Sequence, residues 1–168
     1  MKIGIDIDGI VLDFERIMRT LVEVYDLLIL NKNGILNKDE FSYLDRYDWI
    51  KEEKDKFIKE YLVYATINFT PLIPLAKEMF EFLNLEGYEY FFITARGLLV
   101  KETKSAVIDI FNKNSIRIDN IYFGINDKVD IYKRLGINIM IDDNPNVCKY
   151  LQINKIKTLY FRDKDNEY

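Results

Sequence analysis

The sequence predicts an α/β fold in which a parallel sheet is flanked by helices. Three observations predict it. In the opening stretch MKIGIDIDGIVLDF, Ile3, Ile5 and Ile7 alternate with Gly4, Asp6 and Asp8, a short β-branched run typical of a buried strand, which Gly9 breaks. Beyond residue 71, short apolar runs alternate with stretches of helical periodicity, and alternating strands and helices build a parallel sheet with helices on both faces. Several of those runs end in polar residues, at the strand ends where open α/β sheets bind their ligands.

The first strand ends at Asp6 and Asp8. Two residues apart, they point to the same side of a strand and repel each other. A divalent cation between them would hold both ionised. Residues 13–30 read as a helix, with Ile17, Leu21, Val24 and Leu28 on one face, Glu15, Arg16, Arg19 and Glu23 on the other, and Asp13 as its cap. Asn31, Asn33 and Gly34 form a loop. Residues 39–47 read as a short helix and 50–66 as a longer charged one. The run Thr70, Pro71, Leu72, Ile73, Pro74 is a break that helices rarely cross.

The rhythm then changes. A helix over 74–86 stops at Gly87, and a second strand spans 88–94. Ala95, Arg96 and Gly97 make a turn, followed by a helix over 99–113. A strand over 118–123, a helix over 127–135 and a strand over 137–141 follow, the last ending in Asp142 and Asp143. Pro145 opens another helix, 157–161 is a fifth strand, and 162–168 is a polar tail expected to lack order. The link from the first strand to the second, residues 8–88, far exceeds an ordinary crossover. Residues 14–70 therefore read as a helical insertion over the strand ends, a cap on a core made of 1–13 and 71–168.

Composition narrows the chemistry. A chain of 168 residues, 49% hydrophobic and 31% charged, suits one domain with a substantial core. The net charge is −4 and no basic stripe is present, so a long nucleic acid is not an expected partner. Cys148 is the one cysteine, which excludes an internal disulfide, fits a cytoplasmic location, and reads as a buried, inert residue. The absence of histidine removes the Ser-His and Cys-His nucleophile schemes and zinc sites built on imidazole. The N-terminus reads as a strand and not a signal peptide, and charges break every apolar stretch short of membrane-spanning length.

Four polar clusters end the predicted strands or closely follow them: Asp6-Ile7-Asp8-Gly9, Thr94-Ala95-Arg96, Lys128, and Asp142-Asp143. Taken singly each is ordinary: a turn or helix cap, a strand threonine, a solvated lysine. Parallel strands bring all four to one edge. The set IDIDG, ITAR, a lysine near the third strand and IDDNP resembles the haloacid dehalogenase-like phosphatase superfamily over residues 1–13 and about 71–161. The long helical insertion directly after the first motif is similar to the 5′(3′)-deoxyribonucleotidase type and related nucleotidases.

That resemblance implies a Rossmann-like sheet with strands arranged 5-4-1-2-3 and a small helical cap. It implies that Asp6 attacks phosphorus and becomes an aspartyl phosphate, and that Asp8 is the general acid and base. Thr94 and the following amides, Ala95 and Arg96, would hold phosphate, and Lys128 would neutralise charge. Asp6, the backbone carbonyl of Asp8, and Asp143 with Asp142 in support would hold Mg²⁺, the ion that a small set of hard oxygens selects. Ile10 departs from the pattern, which usually places there a threonine that orients the acid–base aspartate.

The insertion carries many aromatic residues, and rings of this kind stack on nucleobases; the plain alternative is a small helical core packing on itself. Phe14, Trp49 and Phe69 are the candidates for the base side, and Arg96 for phosphate or sugar. The expectation is a cytoplasmic, Mg²⁺-dependent phosphomonoesterase, monomer or homodimer, acting on a small phosphorylated metabolite, specifically a nucleoside monophosphate. A phospho-acceptor signalling domain is the alternative, but the third strand ends Tyr122-Phe123-Gly124 without an aspartate. A catalytically weak binding protein is the other, supported by Ile10 alone.

Overall fold

A strand at the very start of the chain, β1 (Lys2–Ile5), is the middle strand of a five-stranded sheet. The computed structural model describes residues 1–98 and 100–161; the polar tail expected over 162–168 lies outside them. The other strands are β2 (Glu89–Thr94), β3 (Ile121–Phe123), β4 (Ile139–Asp142) and β5 (Thr158–Tyr160). All pairings are parallel, in the order β3-β2-β1-β4-β5, the arrangement expected. β1 pairs Ile3 with Tyr90 of β2 and with Ile139 of β4.

The period-2 alternation decides which helices cover which face. Ile3, Ile5, Tyr90 and Phe92 pack on Phe80 and Leu83 of α4 (Ala76–Leu85) and on Val107 and Phe111 of α5 (Thr103–Lys113). Phe91, Ile93 and Met140 face the other way, onto Val129 and Ile131 of α6 (Lys128–Leu135) and Leu151 of α7 (Pro145–Ile153). Gly4 falls on this second face, and a Cβ there would lie 2.6 Å from the sulfur of Met140.

Helix ends mostly follow local chemistry. Asp127 caps α6 by accepting from the Val129 N–H at 2.9 Å, and Asn144 caps α7 by accepting from Asn146 at 2.9 Å, satisfying first-turn donors. α5 starts later than the periodicity suggests. The Ala95 carbonyl takes the Leu98 N–H, and the Val100 carbonyl takes the N–H and hydroxyl of Thr103. A helix from residue 99 would pair the Val100 carbonyl with the Lys104 N–H, which instead reaches the Lys101 carbonyl at 3.1 Å.

Between β1 and β2 the chain forms α1 (Phe14–Val24), which continues as a π turn (Tyr25–Ile29), then a 3₁₀ turn (Tyr43–Arg46). A long helical run follows, made of α2 (Lys51–Phe57), a second π turn (Ile58–Leu62) and α3 (Val63–Phe69). Asp13 does not cap α1; its carboxylate pairs with Arg16 at 3.2 Å. The helix expected over 39–47 contracts to the 3₁₀ turn. Asn37 Oδ1 takes the Asp39 N–H, a local bond that competes with helix, and the Arg46 carbonyl takes the N–H groups of Leu36 and Asn37. The two ends of the segment are tied side by side, Asp13 N–H to the Pro71 carbonyl at 3.0 Å and Ile73 N–H to the Val11 carbonyl at 2.9 Å.

This segment has a core of its own: Phe14, Met18, Val22, Tyr25, Tyr47, Trp49, Phe57 and Ala65 are buried together. The expectation that Trp49 faces substrate is corrected here. Its ring packs against Tyr25, Tyr47 and Phe57 at centroid separations of 5.3–5.5 Å, and its indole N–H donates to Asp26 Oδ1 at 2.6 Å. Asp26 is itself buried and takes the Gly34 N–H on its other oxygen at 2.7 Å. Phe69 is corrected too: it is half-exposed, edge-on to Tyr64. Among the described residues no helix is long and apolar enough to cross a membrane.

Trp49→Phe keeps the aromatic contacts and removes the donor from a buried carboxylate. We expect a loss of about 2 kcal/mol in unfolding free energy by urea denaturation, with the fold retained by far-ultraviolet circular dichroism.

Candidate active site

The turn that leaves β1 shapes the site. The Asp6 N–H continues the ladder to the Ile141 carbonyl at 3.0 Å, and the N–H groups of Val11 and Leu12 both reach the Ile7 carbonyl at 2.9 Å. Gly9 sits in this turn at φ 75°, and a Cβ on it would lie 1.9 Å from Oδ2 of Asp143. Glycine is needed both for the left-handed backbone and for the approach of that carboxylate.

Asp6, Asp142 and Asp143 each offer an oxygen within 4.8 Å of the others. Lys128, the first residue of α6, is buried among them, with Nζ 2.9 Å from Asp6 Oδ1 and 2.6 Å from Asp142 Oδ2. The Asn144 N–H donates to the second oxygen of Asp142 at 2.9 Å. Two of the three acids, Asp6 and Asp142, share one ammonium, and the electrostatics follow. Burial pushes Asp6 up to about 7, with Asp142 and Asp8 adding to the rise and Lys128 opposing it. Burial, then Asp6 and Asp142, push Asp143 up to about 8. Burial works against the Lys128 ammonium, but Asp6 and Asp142 outweigh it and hold Lys128 above the usual lysine range. The nearby Cys148 thiol is pushed up to about 12, by burial first and then by Asp142 and Asp143, which keeps it protonated and unreactive.

Thr94, at the end of β2, is buried, and its hydroxyl oxygen accepts the Arg96 N–H at 3.1 Å. That amide, expected to hold phosphate, is already bonded. The side chain of Arg96 is placed differently from expectation as well. It turns to Asp8, with Nε 2.8 Å from Oδ2 and Nη2 bonded to Oδ1, and does not line the cavity described next. The Asp8 side chain thus points to Arg96, and Asp142 takes its place in the acidic cluster.

A cavity of about 460 Å³ opens above the cluster, within the range of small-ligand sites. Its floor is Asp6, Asp8, Thr94, Ala95, Lys128 and Asp143. The inserted segment contributes a largely apolar wall that includes Phe14, Phe41, Tyr43, Leu44, Ile58 and Leu62. Burial and the Asp8 carboxylate push the Tyr43 hydroxyl well above the ordinary tyrosine value, so it stays a neutral donor. Of the three aromatic residues singled out from the sequence, Phe14 lines this cavity; Trp49 and Phe69 do not. Phe41 and Tyr43 were legible as aromatic residues, but no periodic spacing marked them, because they lie in irregular chain around a 3₁₀ turn.

The donors fit a divalent cation. Three clustered carboxyl groups face one lysine, and burial and their neighbours push two of them, Asp6 and Asp143, upward; a divalent cation would relieve that repulsion, and hard oxygens suit Mg²⁺.

Neither a protein-family model nor a curated protein sequence matches the chain. Solved structures do. A haloacid dehalogenase-like family hydrolase from Streptococcus pneumoniae superposes with a TM-score of 0.69 at 17% identity, covering 98% of this chain and 88% of that one. A predicted phosphoglycolate phosphatase from Haemophilus somnus gives 0.64 at 14% identity, over 94% and 83%. A hydrolase of the same superfamily from Deinococcus radiodurans, with bound phosphate and sodium, gives 0.58 at 13% identity, over 85% and 72%. The structural neighbours are haloacid dehalogenase-like hydrolases, and at these identities the likeness is one of fold.

Asp6 and Asp143 keep protons, when folded, that the unfolded chain releases near the ordinary value of 3.8. Without metal, their contribution to stability therefore falls as pH rises from about 4 through about 8. A bound divalent cation replaces those protons. The rise in melting temperature at saturating Mg²⁺ is expected to be larger at about pH 8.5 than at about pH 6, by differential scanning fluorimetry. Asp143→Asn is expected to remove most of this pH-dependent gain.

Proposed function

We propose that the protein is a metal-dependent phosphomonoesterase acting on a nucleoside monophosphate or a close relative, with Asp6 as nucleophile. The observation that carries this reading is a buried carboxylate, Asp6, lying 2.9 Å from the Lys128 ammonium and among further acids on the floor of a cavity. The phosphatase and phosphate-bound hydrolase among the structural neighbours support it.

In this reading Asp6 attacks phosphorus, the bond to the leaving oxygen breaks, and Asp8 gives that oxygen a proton. Asp8 then takes a proton from water as the water attacks phosphorus. The bond to Asp6 breaks, phosphate leaves, and the carboxylate is restored. Lys128 holds Asp6 in place and offsets the charge that gathers on the phosphoryl oxygens. Asp6 and Asp143, with Asp142 beside them and the peptide oxygen of Asp8, would hold Mg²⁺, which supplies Lewis-acid polarisation of the phosphoryl group. Thr94 and Ala95 line the same cavity as Asp6, and the Thr94 hydroxyl and the Ala95 amide would hold phosphate oxygens. Phe14, Phe41 and Tyr43 offer ring surface on the cavity wall, where a base can stack.

The test is phosphate release from p-nitrophenyl phosphate and from a panel of nucleoside monophosphates and sugar phosphates, with and without Mg²⁺. Activity is expected to need the metal, and Asp6→Asn is expected to bring it to background while the protein stays folded. An active Asp6→Asn protein would sink the mechanism. Tyr43→Ala is expected to raise KM for a nucleoside monophosphate about tenfold, the order of one lost stacking contact, and to change KM for p-nitrophenyl phosphate less. Turnover of sugar phosphates alone would remove the nucleotide assignment and leave the phosphatase.

A further inference from the structure

The Arg96 guanidinium occupies a junction. Its side chain is 7% exposed. Nε lies 2.8 Å and 3.1 Å from the two oxygens of Asp8, and Nη2 also bonds Oδ1. Nη1 donates to the Thr66 hydroxyl oxygen at 2.9 Å. The guanidinium carbon lies 4.2 Å from the centroid of the Phe14 ring, within cation–π range. Thr66 belongs to α3, the last helix of the inserted segment, and Phe14 opens α1, the first. One side chain from the loop after β2 therefore touches both ends of the insertion and the carboxylate two residues beyond Asp6.

The arrangement is braced. The Thr66 hydroxyl donates to the Leu62 carbonyl at 2.8 Å, which turns its lone pairs toward Arg96. The Arg96 backbone is clipped on both sides, its N–H to Thr94 Oγ1 and its carbonyl to the Gly124 N–H at 2.7 Å. No other side chain among the described residues hydrogen-bonds the Asp8 carboxylate, and Ile10, in the same turn as Asp8, carries no hydroxyl.

We propose that Arg96 is a positioning residue: it orients the Asp8 carboxylate and makes that orientation depend on α3 being seated against the loop after β2. The inference rests on the phosphomonoesterase reading. A planar fork fixes both carboxylate oxygens, which a lysine cannot do. The fork leaves some carboxylate lone pairs open for proton transfer. An anchor for substrate phosphate would instead point into the cavity, where Asp8, Thr94 and Ala95 lie and Arg96 does not.

The test uses the leaving group. p-Nitrophenolate departs without a proton, whereas the alkoxide of a nucleoside 5′-phosphate needs one. The readout is the ratio of kcat/KM for p-nitrophenyl phosphate to kcat/KM for the nucleotide, measured in wild type, Arg96→Met, Arg96→Lys and Thr66→Val, with Asp8→Asn as reference. Arg96→Met is expected to raise the ratio about tenfold or more, toward the Asp8→Asn value, through kcat and not KM. Arg96→Lys recovers part of the loss, and Thr66→Val moves the ratio in the same direction by about threefold.

Equal losses on both substrates, carried by KM, would make Arg96 a phosphate-binding group and overturn the proposal, as would a wild-type ratio in Arg96→Met. Should Arg96→Met lose its near-ultraviolet circular dichroism, the other two variants decide: an unmoved ratio in both overturns it. Wild type inactive on both substrates defeats the phosphomonoesterase reading and this inference with it. Wild type active, Asp6→Asn inactive and an unchanged ratio in the Arg96 and Thr66 variants defeat this inference alone.

Discussion

The Lys128 ammonium between Asp6 and Asp142 is the interaction on which the rest of the site depends. Asp142 is wholly buried and Asp6 nearly so. Carboxylates removed from water need a counter-charge and hydrogen bonds, or they take up protons. Lys128 supplies both at 2.9 Å and 2.6 Å, and it can do so because three elements converge. β1 and β4 are adjacent, so Asp6 and Asp142 leave the sheet side by side. α6 begins at Lys128, capped by Asp127 and seated on the sheet through Val129 and Ile131. A shift in the register of β4 or in the start of α6 would separate the charges.

With the acidic floor fixed this way, the character of the rest of the cavity falls to the inserted segment. The stretch that carries Phe41 and Tyr43 has little regular structure, and a buried arginine holds it. Arg46 donates to the carbonyls of Glu40 and Phe41 at 2.7 Å and 3.3 Å and lies 3.5 Å from Glu15. Trp49 and Asp26 anchor the interior behind it. The aromatic residues of the insertion serve two tasks, holding it together and facing the cavity, and Phe14 serves both.

The sheet was legible because its signals are local. Apolar runs that end in turn residues mark strands, and the polar residues at their ends could be placed on one edge without knowing any distance. The acids and Lys128 were legible for the same reason. Trp49 and Phe69 were misplaced because the direction of a ring in a small helical bundle depends on partners far along the chain; Trp49 is fixed by Asp26, 23 residues earlier. Arg96 was expected at phosphate or sugar, and its side chain turns instead to Asp8. Its partners Asp8 and Thr66 are 88 and 30 residues away, and no spacing rule connects them.

The sequence by itself determined the sheet, its insertion point and the residues that carry charge, because alternation and turn chemistry act within short windows of chain and the lack of histidine is a matter of composition. Tertiary structure alone decided that the Asp8 side chain turns to Arg96, and that Phe41 and Tyr43 face the cavity. Each of these depends on which way a side chain turns once distant segments have packed, and packing is a property of the whole molecule.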